Sequence, residues 1–559
     1  MTILWRTQML NRLVAIRGQT ATLAPYCAPS DFAVPALPFF SMAPDSAPLP
    51  SGVTLTTTTG EFQISAGAPI GTTQRLRLRA SDDISGEVAD SPLFSLQVIA
   101  MPTAAFTNAR TGATSNDFVT LRNAALPGDT IFVLPGKQLA MGRSHGWSGF
   151  VKCADPSQYT QVAHLGDGDT VAEGAGLATW WEGLYVNGFD TGNKVFGVSP
   201  DSGVHGGTWI SNGHVMIKRC KFRECGQGIF GGGGLGHLVI WDTAFIDCGA
   251  DTEVWSGANV HDIYVSSSKN LTEPSTTAVS LWVRGCVFYR TYDWSNTPKG
   301  ELWRVGTGHL IKTDMAHNLV EASYLKTGRG SSTCKVQGDF GGVFVVRGCV
   351  LEEGPYSGFS ASLHPSGPVP GQAYDNKIID YAQSAIRYFG APPKFFQPSW
   401  TRCEVHLQQN TIVNHGARAE QVVQFRGCLA DRPTPIANGQ YTCVPGPVPS
   451  VKQFVDNVIM KGAGLADIDV ARPPSWVTDG SNTIATSDSI FHDATKDNYS
   501  LVRPVQGSRN WATCAFNFAA GVGWVVRTDF YRGGMPVPAP VPTPGPTPVP
   551  VPGTRDPTG

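Results

Sequence analysis

The chain has 559 residues, of which 15% are charged, and its formal net charge is -2. This length exceeds what one ordinary core holds, whereas a solenoid escapes that limit because each coil packs only against its neighbours. The balanced charge gives no sign of a nucleic-acid partner. Few charges together with 63 Gly and 41 Pro favour a β-rich protein with many turns over a helical one.

The sequence gives no sign of a membrane segment, an export signal or a metal site. No apolar run approaches the roughly 20 residues of a membrane span, and residues 1–20 lack the unbroken apolar stretch of a secretory signal. The 12 cysteines form no CxxC pairs, so we predict no metal and no cofactor. We expect buried free thiols rather than a disulfide framework.

The first hundred residues divide into a predicted N-terminal arm, 1–35, and a segment of short strands and turns, 36–102. In the second segment, LPSGVTL at 49–55 is followed by TGEF at 59–62. This resembles immunoglobulin-like repeat modules, in which an LPxGLxL strand precedes a TG turn. Polar and apolar residues also alternate at 94–98, as in half-buried antiparallel strands. The resemblance implies a small immunoglobulin-like β-sandwich.

A different pattern begins near residue 103. Residues 121–136, LRNAALPGDTIFVLPG, resemble the first segment of pectate-lyase-like β-helices, where a short helix with an apolar face precedes PGDTI and a strand. The helix would cap the open end of the first coil, and the Pro-Gly-Asp turn would lead the chain into it. The resemblance implies an all-β fold with a right-handed parallel β-helix solenoid over residues 103–534.

A strand motif then recurs along the chain: alternating apolar residues, then Cys or Asn (once Ala), one further residue, and an aromatic or aliphatic side chain. The shared position is held by Cys220, Cys286, Cys349, Asn376, Asn410 and Asn457. We predict that the cysteines stack in the interior and that the asparagines form an amide ladder at a bend, satisfying buried backbone groups. The irregular spacing predicts long loops on one side.

The end of the chain carries a closing segment and a tail. IFHD at 490–493 and DNYSL at 497–501 resemble the segment that follows the last coil in many bacterial β-helix proteins. Residues 535–559 are dominated by Pro alternating with small residues. Such a composition cannot form a packed core, so we predict a disordered proline-rich tail.

Residues 255–360 carry the most specific resemblance. VHDIYV at 260–265, GHLIKT at 308–313 and VRGCVLEEGP at 346–355 resemble, in order, three strands of a family of bacterial right-handed β-helix proteins. The wider superfamily contains polysaccharide lyases, glycosidases, esterases and phage tailspikes. Lys335 and Gln337 stand where that family usually has carboxylates, and a site formed by those groups in relatives would be lost or altered here.

Four candidate catalytic residues lie in these motifs: His261, Tyr264, His309 and Lys312. They fall on adjacent strands in this alignment, and equivalent positions in a parallel stack lie about 4.8 Å apart. Such a group could run a β-elimination on a uronic acid, with one side chain abstracting a proton, another protonating the leaving oxygen, and Lys312 neutralising the carboxylate. The alternative is that the histidines cap turns or stack inside and that Tyr264 packs a groove.

Candidate substrate-binding residues are aromatic or acidic: Trp241, Trp255, Trp294, Asp262 and Asp314. Sugar rings stack on aromatic faces, and a shallow groove of aromatic and polar side chains suits a glycan. The alternative is that the tryptophans fill the interior. Hydrolysis would need two carboxylates flanking the bond. The nearest candidates for those carboxylates, otherwise solvated turn residues, are Asp242, Asp247, Asp251, Glu253 and Asp262.

Three functions follow from these patterns. The first is a phage virion surface protein (a spike, fibre or head decoration) that contacts bacterial surface polysaccharide, meets virion proteins through its N-terminal region, and forms a homotrimer that raises avidity. The second is a secreted, extracellular bacterial polysaccharide lyase or glycosidase. The third is a non-catalytic structural or adhesive module. The first is preferred, because an arm, an immunoglobulin-like module, a solenoid and a spacer tail suit a virion surface.

Overall fold

The structure is a computed structural model of the chain. The residues that it describes are 2–5, 12–23, 25–28, 39–57, 60–81, 88–126, 129–137, 150–154, 160–162, 180–187, 198–199, 203–204, 208–223, 228–248, 261–265, 280–290, 310–313, 315, 317–321, 323–327, 336–338, 342–347, 349–353, 363–365, 387–388, 403–408, 410–414, 421–425, 450–455, 457–461, 466–470, 477–480, 482–485, 487–493 and 498–501. The predicted tail, 535–559, lies outside them.

The first hundred residues form small, mainly antiparallel sheets, here called the N-terminal module. Its strands are Thr2–Trp5 with Pro25–Ala28; Arg12–Ile16, Phe94–Ile99 and Gly71–Leu76; Val88–Asp90, Leu78–Ser81 and Phe39–Met42; and Thr20–Thr22, Glu61–Ile64 and Val53–Thr56. Apolar side chains from these sheets, among them Phe40, Phe62 and Leu96, are almost fully buried. Burial of that apolar surface holds the short strands together.

Strands from residues 1–35 pair with strands of residues 36–102. Arg12–Ile16 lies parallel to Phe94–Ile99, and Thr20–Thr22 lies antiparallel to Glu61–Ile64. The segment predicted as an arm, 1–35, therefore contributes strands to the same sheets as residues 36–102. Its partner strands lie some 40 to 80 residues downstream in the sequence, and a local pattern contains no information about such distant pairing.

The predicted capping helix is present as Phe118–Ala124. The Asp117 carboxylate accepts hydrogen bonds from the backbone N–H groups of Val119 and Thr120, which fixes the start of the helix. Phe118 and Leu121 are buried, and the Phe118 ring lies edge-on to Phe106 at 5.6 Å. These residues join the core at the start of the parallel strands that follow.

Two long sheets dominate the rest of the described chain. The larger has 17 strands and is parallel after its first three: Phe106–Asn108, Thr114–Ser115, Thr130–Val133, Phe150–Cys153, Trp180–Glu182, Thr208–Lys218, Ile229–Trp241, Ile263–Val265, Ser280–Arg284, Ile311–Thr313, His317–Glu321, Val336–Gly338, Gly342–Arg347, Leu363–Pro365, Cys403–Gln408, Ser450–Val455 and Val477–Gly480. The smaller has 10 parallel strands: Thr160–Val162, Leu184–Asn187, Lys221–Arg223, Ala244–Ile246, Val287–Tyr289, Tyr324–Thr327, Val350–Glu353, Thr411–Asn414, Val458–Lys461 and Thr483–Ala485. The described chain is therefore all-β, with long parallel sheets.

The remaining elements are short. They are the parallel strands Arg387–Tyr388, Gln421–Phe425 and Ala466–Val470, the antiparallel pairs Val198–Ser199 with Gly203–Val204 and Phe491–Asp493 with Asn498–Leu501, and the 3-10 helix Asp488–Ile490. The last antiparallel pair contains the two segments predicted to close the stack.

Strand pairing follows a period of three in the middle of the chain. Each of three consecutive strands pairs with the strand three places further on: Ile263–Val265 with Ile311–Thr313, Ser280–Arg284 with His317–Glu321, and Val287–Tyr289 with Tyr324–Thr327. The chain therefore passes three positions in turn and returns to stack on itself. Parallel neighbours in such a stack lie about 4.8 Å apart.

Inside the stack, equivalent side chains lie on one another. The rings of Phe222, Phe245 and Phe288 stack in sequence at centroid distances of 5.0 and 4.8 Å, with interplanar angles of 6° and 4°. The cysteines whose side chains are described are buried free thiols, as the sequence predicted: Cys153, Cys220, Cys248, Cys286 and Cys349. Burial raises the pKa of the Cys220 thiol to about 12, which keeps it protonated and unreactive.

The predicted amide ladder is present at the bend between the two long sheets. The side-chain carbonyl oxygen of Asn457 accepts from the backbone N–H of Asn410 at 2.9 Å and from its side-chain amide at 3.0 Å. Asn482 accepts from Asn457 in the same way, at 2.9 Å for each bond. One step earlier, Asn410 accepts from the backbone N–H of Cys349 at 3.0 Å. Asn376 lies outside the described residues.

The residue before the ladder position adopts a left-handed backbone. Gly285 has φ of 63° and precedes Cys286, and Asp242 has φ of 49° and precedes Thr243. A Cβ on Gly285 would lie only 2.7 Å from the Asp242 side-chain oxygen. Glycine is therefore favoured at this position both by the positive φ and by the close contact. A sharp bend follows each strand that ends in this way.

The N-terminal module packs on the outer face of the larger sheet. A row of apolar side chains at equivalent positions on neighbouring strands shares one buried cluster with Phe40 and Phe62 of the module. This row is Trp180, Met216, Val239, Trp282, Leu319 and Val345. The module therefore covers about six strands of that face.

Charged groups are buried beside this apolar row. Lys218 donates to Glu61 at 2.8 Å and also to the Thr22 hydroxyl, and Arg219 donates to Glu61 at 2.7 Å. Lys218 and Glu61 are each 1% exposed, and burial lowers the pKa of Lys218 from its ordinary value while Glu61 opposes that change. The ion pair ties the module to the sheet in one register.

Candidate functional site

Three of the four candidate catalytic residues lie together. Tyr264 is the middle residue of the strand Ile263–Val265 and is half-buried, whereas both neighbours on that strand are fully buried in the core. It lies opposite Lys312 on the next strand, whose ammonium nitrogen is 4.8 Å from the centre of the Tyr264 ring. The His261 ring lies edge-on to Tyr264 at 5.2 Å. His309 lies outside the described residues.

The sequence folds this way because each short strand alternates core and surface positions. Ile263 and Val265, like Ile311 and Thr313 on the next strand, are fully buried, so the residue between them is placed on the opposite side. The parallel register then brings the two middle residues together. A lysine over a tyrosine ring stabilises the pair by about 0.5 to 2 kcal/mol, more when water is excluded.

Tyr264 is the accessible member of the group. Lys312 is 4% exposed and His261 is 1% exposed. The cation and the imidazole therefore hold the tyrosine ring in place from within the protein. This arrangement places an aromatic surface beside a positive charge, which suits a sugar that carries a carboxylate.

A buried acid lies two residues before the tyrosine in the sequence. Asp262 is fully buried, and one of its oxygens accepts a hydrogen bond from Arg290 at 2.8 Å. Its other oxygen has no hydrogen-bond partner among the residues that the structure describes. Burial raises the pKa of Asp262 to about 7, the nearby Asp247 acts in the same direction, and Arg290 opposes both. This carboxyl group therefore titrates near neutral pH.

Two predicted substrate-binding residues lie away from solvent. Trp241 is 3% exposed and stands edge-on to Trp282 at 4.9 Å, in the cluster that the N-terminal module covers. It therefore packs under the module on the outer face of the sheet, rather than in an open groove or in the interior between the two long sheets. Asp262 faces Arg290 and supports the strand from inside. Trp255, Trp294 and Asp314 lie outside the described residues.

The candidate carboxylates for hydrolysis are only partly described. Asp242 and Asp247 both have left-handed backbones, with φ of 49° and 51°. Asp251 and Glu253 lie outside the described residues, as does Lys335. Gln337 lies opposite Lys312 on the following strand.

Sequence reasoning missed two contributors to this region. Arg290, the partner of Asp262, follows the strand Val287–Tyr289 with no motif around it. Phe230 lies opposite Tyr264 on the preceding strand, Ile229–Trp241. The feature that could have identified a site residue is its place in the middle of a three-residue strand. That place can be recognised only once the pairing register of the strands is known.

Neither a metal cluster nor a membrane segment is found in the described part of the chain. No group of three or more His, Cys, Asp or Glu side chains among these residues is close enough to hold a metal ion. No described helix is long and apolar enough to cross a membrane. Comparison with protein-family models gave no match, and neither did comparison with curated proteins.

Proposed function

We propose that residues 103–534 form a right-handed parallel β-helix that binds an acidic bacterial surface polysaccharide at the half-buried Tyr264 ring, which the buried Lys312 and His261 hold in place. The β-helix is supported by the return of the chain after every third strand and by the amide ladder at the bend. Handedness follows from the strong preference of parallel crossover connections for a right-handed path.

The observation that carries the binding proposal is the Lys312 ammonium 4.8 Å from the centre of the half-buried Tyr264 ring. Aromatic rings bind the apolar faces of sugars, and a cation in a water-poor setting attracts a carboxylate. The two groups lie on adjacent parallel strands, so their separation is held by backbone hydrogen bonds rather than by flexible loops. A rigid site loses little conformational entropy when it binds.

We propose that the protein is a component of a phage virion surface, where it serves as a spike, a fibre or a head decoration. The N-terminal module, for which we propose an immunoglobulin-like β-sandwich, would then join the β-helix to other virion proteins, and a homotrimer would raise avidity for a repeating polymer. Secretion as an extracellular protein is the alternative location.

A second candidate, polysaccharide lyase activity, is favoured by one contact. The His261 ring lies 5.2 Å from the Tyr264 ring, so a half-buried phenol stands next to a buried imidazole and a positive charge, three groups that proton transfer could use. β-Elimination on a uronic acid needs a base at the sugar carbon and an acid at the leaving oxygen. Binding and cleavage make different predictions for the same experiment.

The experiment presents purified protein with a panel of acidic and neutral bacterial polysaccharides and measures binding and products together. We expect Tyr264→Ala and Lys312→Met to lose binding by about tenfold, the effect of one strong aromatic or charged contact. Lys326→Met is the matched control, because Lys326 lies 4.9 Å from the Tyr289 ring on the smaller sheet and repeats the same pair elsewhere.

The outcomes separate the candidates. Unsaturated uronate ends that vanish in His261→Ala would establish a lyase, and new reducing ends without unsaturation would indicate hydrolysis. Binding without product fits a virion adhesin. Absence of binding to the whole panel, or equal losses in Lys312→Met and Lys326→Met, would contradict a glycan site at Tyr264.

A further inference from the structure

The buried ion pair between the N-terminal module and the larger sheet has the parts of a condensation site. The ammonium nitrogen of Lys218 lies 2.8 Å from Oε1 of Glu61, and both side chains are 1% exposed. Arg219 donates to the same oxygen at 2.7 Å. A primary amine and a carboxyl group held in contact away from water are the two reactants of an amide bond, and their fixed positions remove the entropic cost of bringing them together.

The surroundings of Lys218 favour the reacting form of its amine. The nitrogen lies 6.0 Å from the centre of the Trp241 ring, and burial lowers the pKa of Lys218 although Glu61 opposes that change. A neutral amine attacks a carbonyl carbon, whereas an ammonium ion does not. An amide carries no charge, so its formation would also remove two ions from an interface where desolvation penalises them.

A second carboxylate is placed to take a proton from the amine. Glu182 lies opposite Lys218 on the neighbouring parallel strand and is 1% exposed. Burial opposes the ionisation of Glu182, but the positive charges of Lys152, Lys218 and Arg219 outweigh it and lower the pKa of Glu182. Glu182 is therefore ionised at neutral pH, as a general base must be.

We infer that Lys218 and Glu61 join in an isopeptide bond that ties the N-terminal module covalently to the larger sheet. The Lys218 nitrogen attacks Cδ of Glu61 and forms the new bond, and Arg219 stabilises the negative charge that develops on Oε1. Glu182 takes protons from the nitrogen and passes them to Oε2. The bond between Cδ and Oε2 breaks, and Oε2 leaves as water with the two protons that the ammonium group gives up. The reaction consumes no other reactant.

The product would retain the hydrogen bonds of the ion pair. The Thr22 hydroxyl, which accepts from the Lys218 nitrogen, would accept from the amide N–H, and Arg219 would still donate to Oε1. Lys152 and Glu182 form a second buried pair at 2.7 Å. In the described part of the chain, the hydrogen bonds of Glu182 include no counterpart of the arginine that polarises Glu61, so we infer no link at the second pair.

The test is the intact mass of the full chain in denaturant under reducing conditions, followed by mapping of its proteolytic peptides. We expect the parent protein to be lighter than its sequence by about 18 Da, the mass of one water. One branched peptide should join the segments around Glu61 and Lys218. Lys218→Arg keeps a cation but supplies no primary amine, so this variant should have its full mass. Lys152→Met, at the neighbouring pair, should still lose one water.

Each other result overturns a stated part of the inference. A parent protein of full mass, with the two segments recovered as separate peptides, would overturn the isopeptide bond. Loss of water that maps to a different pair of residues would overturn its assignment to Lys218 and Glu61. Glu182→Gln retains both reactants, so the link should form about a hundredfold more slowly after synthesis. Formation at the parent rate would contradict the role of Glu182 as the base, and circular dichroism establishes that this variant keeps its fold.

Discussion

At the scale of single residues, the site region combines one accessible aromatic ring with buried charges that hold it. Alignment of the HDIYV and GHLIKT segments was enough to predict that Tyr264 and Lys312 lie side by side, because both segments repeat one strand pattern. The role of Asp262 was not predictable. Its partner Arg290 lies 28 residues away with no surrounding motif, and a pKa near 7 is a property of burial.

The first prediction concerns the pH dependence of stability. The pKa of Asp262 is about 7 in the folded chain against an ordinary 3.8, so between these values the folded state binds more protons than the unfolded state. This group therefore lowers the free energy of unfolding as pH rises from about 4 to about 7. Asp262→Asn should flatten that part of the curve, as measured by denaturant unfolding at several pH values.

A control of opposite sign is available. The hydrogen bonds from Arg79 lower the pKa of Asp90 in the N-terminal module, so its contribution to stability is lost as pH falls. Asp90→Asn should leave the slope between about pH 5 and about pH 7 unchanged. An Asp262→Asn curve parallel to that of the parent protein would show that this carboxyl group does not titrate there.

At the scale of elements, the bend between the two long sheets is held by a ladder of side chains. The Cys and Asn positions were predictable because the motif is local and recurs on successive strands. Asn482 and the hydroxyl-bearing Thr243 and Ser323 were missed, although they occupy the same position. Thr243 accepts from the backbone N–H of Cys220 at 3.3 Å, and Ser323 accepts from that of Cys286 at 3.1 Å. Any small side chain with an acceptor serves there, so residue identity alone is an incomplete signal.

The second prediction tests the ladder. Asn457 is fully buried, and Asn457→Ala would leave the backbone N–H and the side-chain amide of Asn410 without their acceptor. Each buried polar group left unsatisfied costs about 1 to 3 kcal/mol. We expect a loss of roughly 2 to 5 kcal/mol in the free energy of unfolding, measured by chemical denaturation.

Asn123→Ala, on the exposed side of the helix Phe118–Ala124, is the matched control and should change stability by less than about 0.5 kcal/mol. Equal effects of the two substitutions would mean that the ladder contributes nothing beyond an ordinary surface asparagine.

At the scale of the whole molecule, the N-terminal module and the parallel sheets share one buried interface. Its ion pair joins residues 157 positions apart, Glu61 and Lys218. Sequence patterns predicted that both parts exist, but not that one lies on the other. Trp241 was interpreted as a sugar-binding residue for this reason, because apolar and polar residues alternate along its strand in the same way whether the face is open or covered.

The third prediction concerns this interface. Glu61→Ala would leave Lys218 buried without its carboxylate, and breaking one partner of a buried pair typically costs about 3 to 5 kcal/mol. We expect calorimetry to resolve separate unfolding of the module and the parallel sheets in this variant, and a single transition in the parent protein. Asp90→Ala, which breaks the exposed pair with Arg79, should leave a single transition. A single transition in both variants would contradict the coupling.

The 157 positions between Glu61 and Lys218 in the sequence also determine when their ion pair can form during synthesis. Ribosomes add about 5 to 20 residues per second, so roughly 10 to 30 seconds pass between the synthesis of Glu61 and that of its partner. The full set of outward residues under the module is complete only when Val345 has been made. During synthesis a folded module would therefore expose an apolar face that carries Glu61, and each newly added strand covers more of it. The nascent chain is most vulnerable to aggregation in that interval, and it becomes steadily safer as the stack grows.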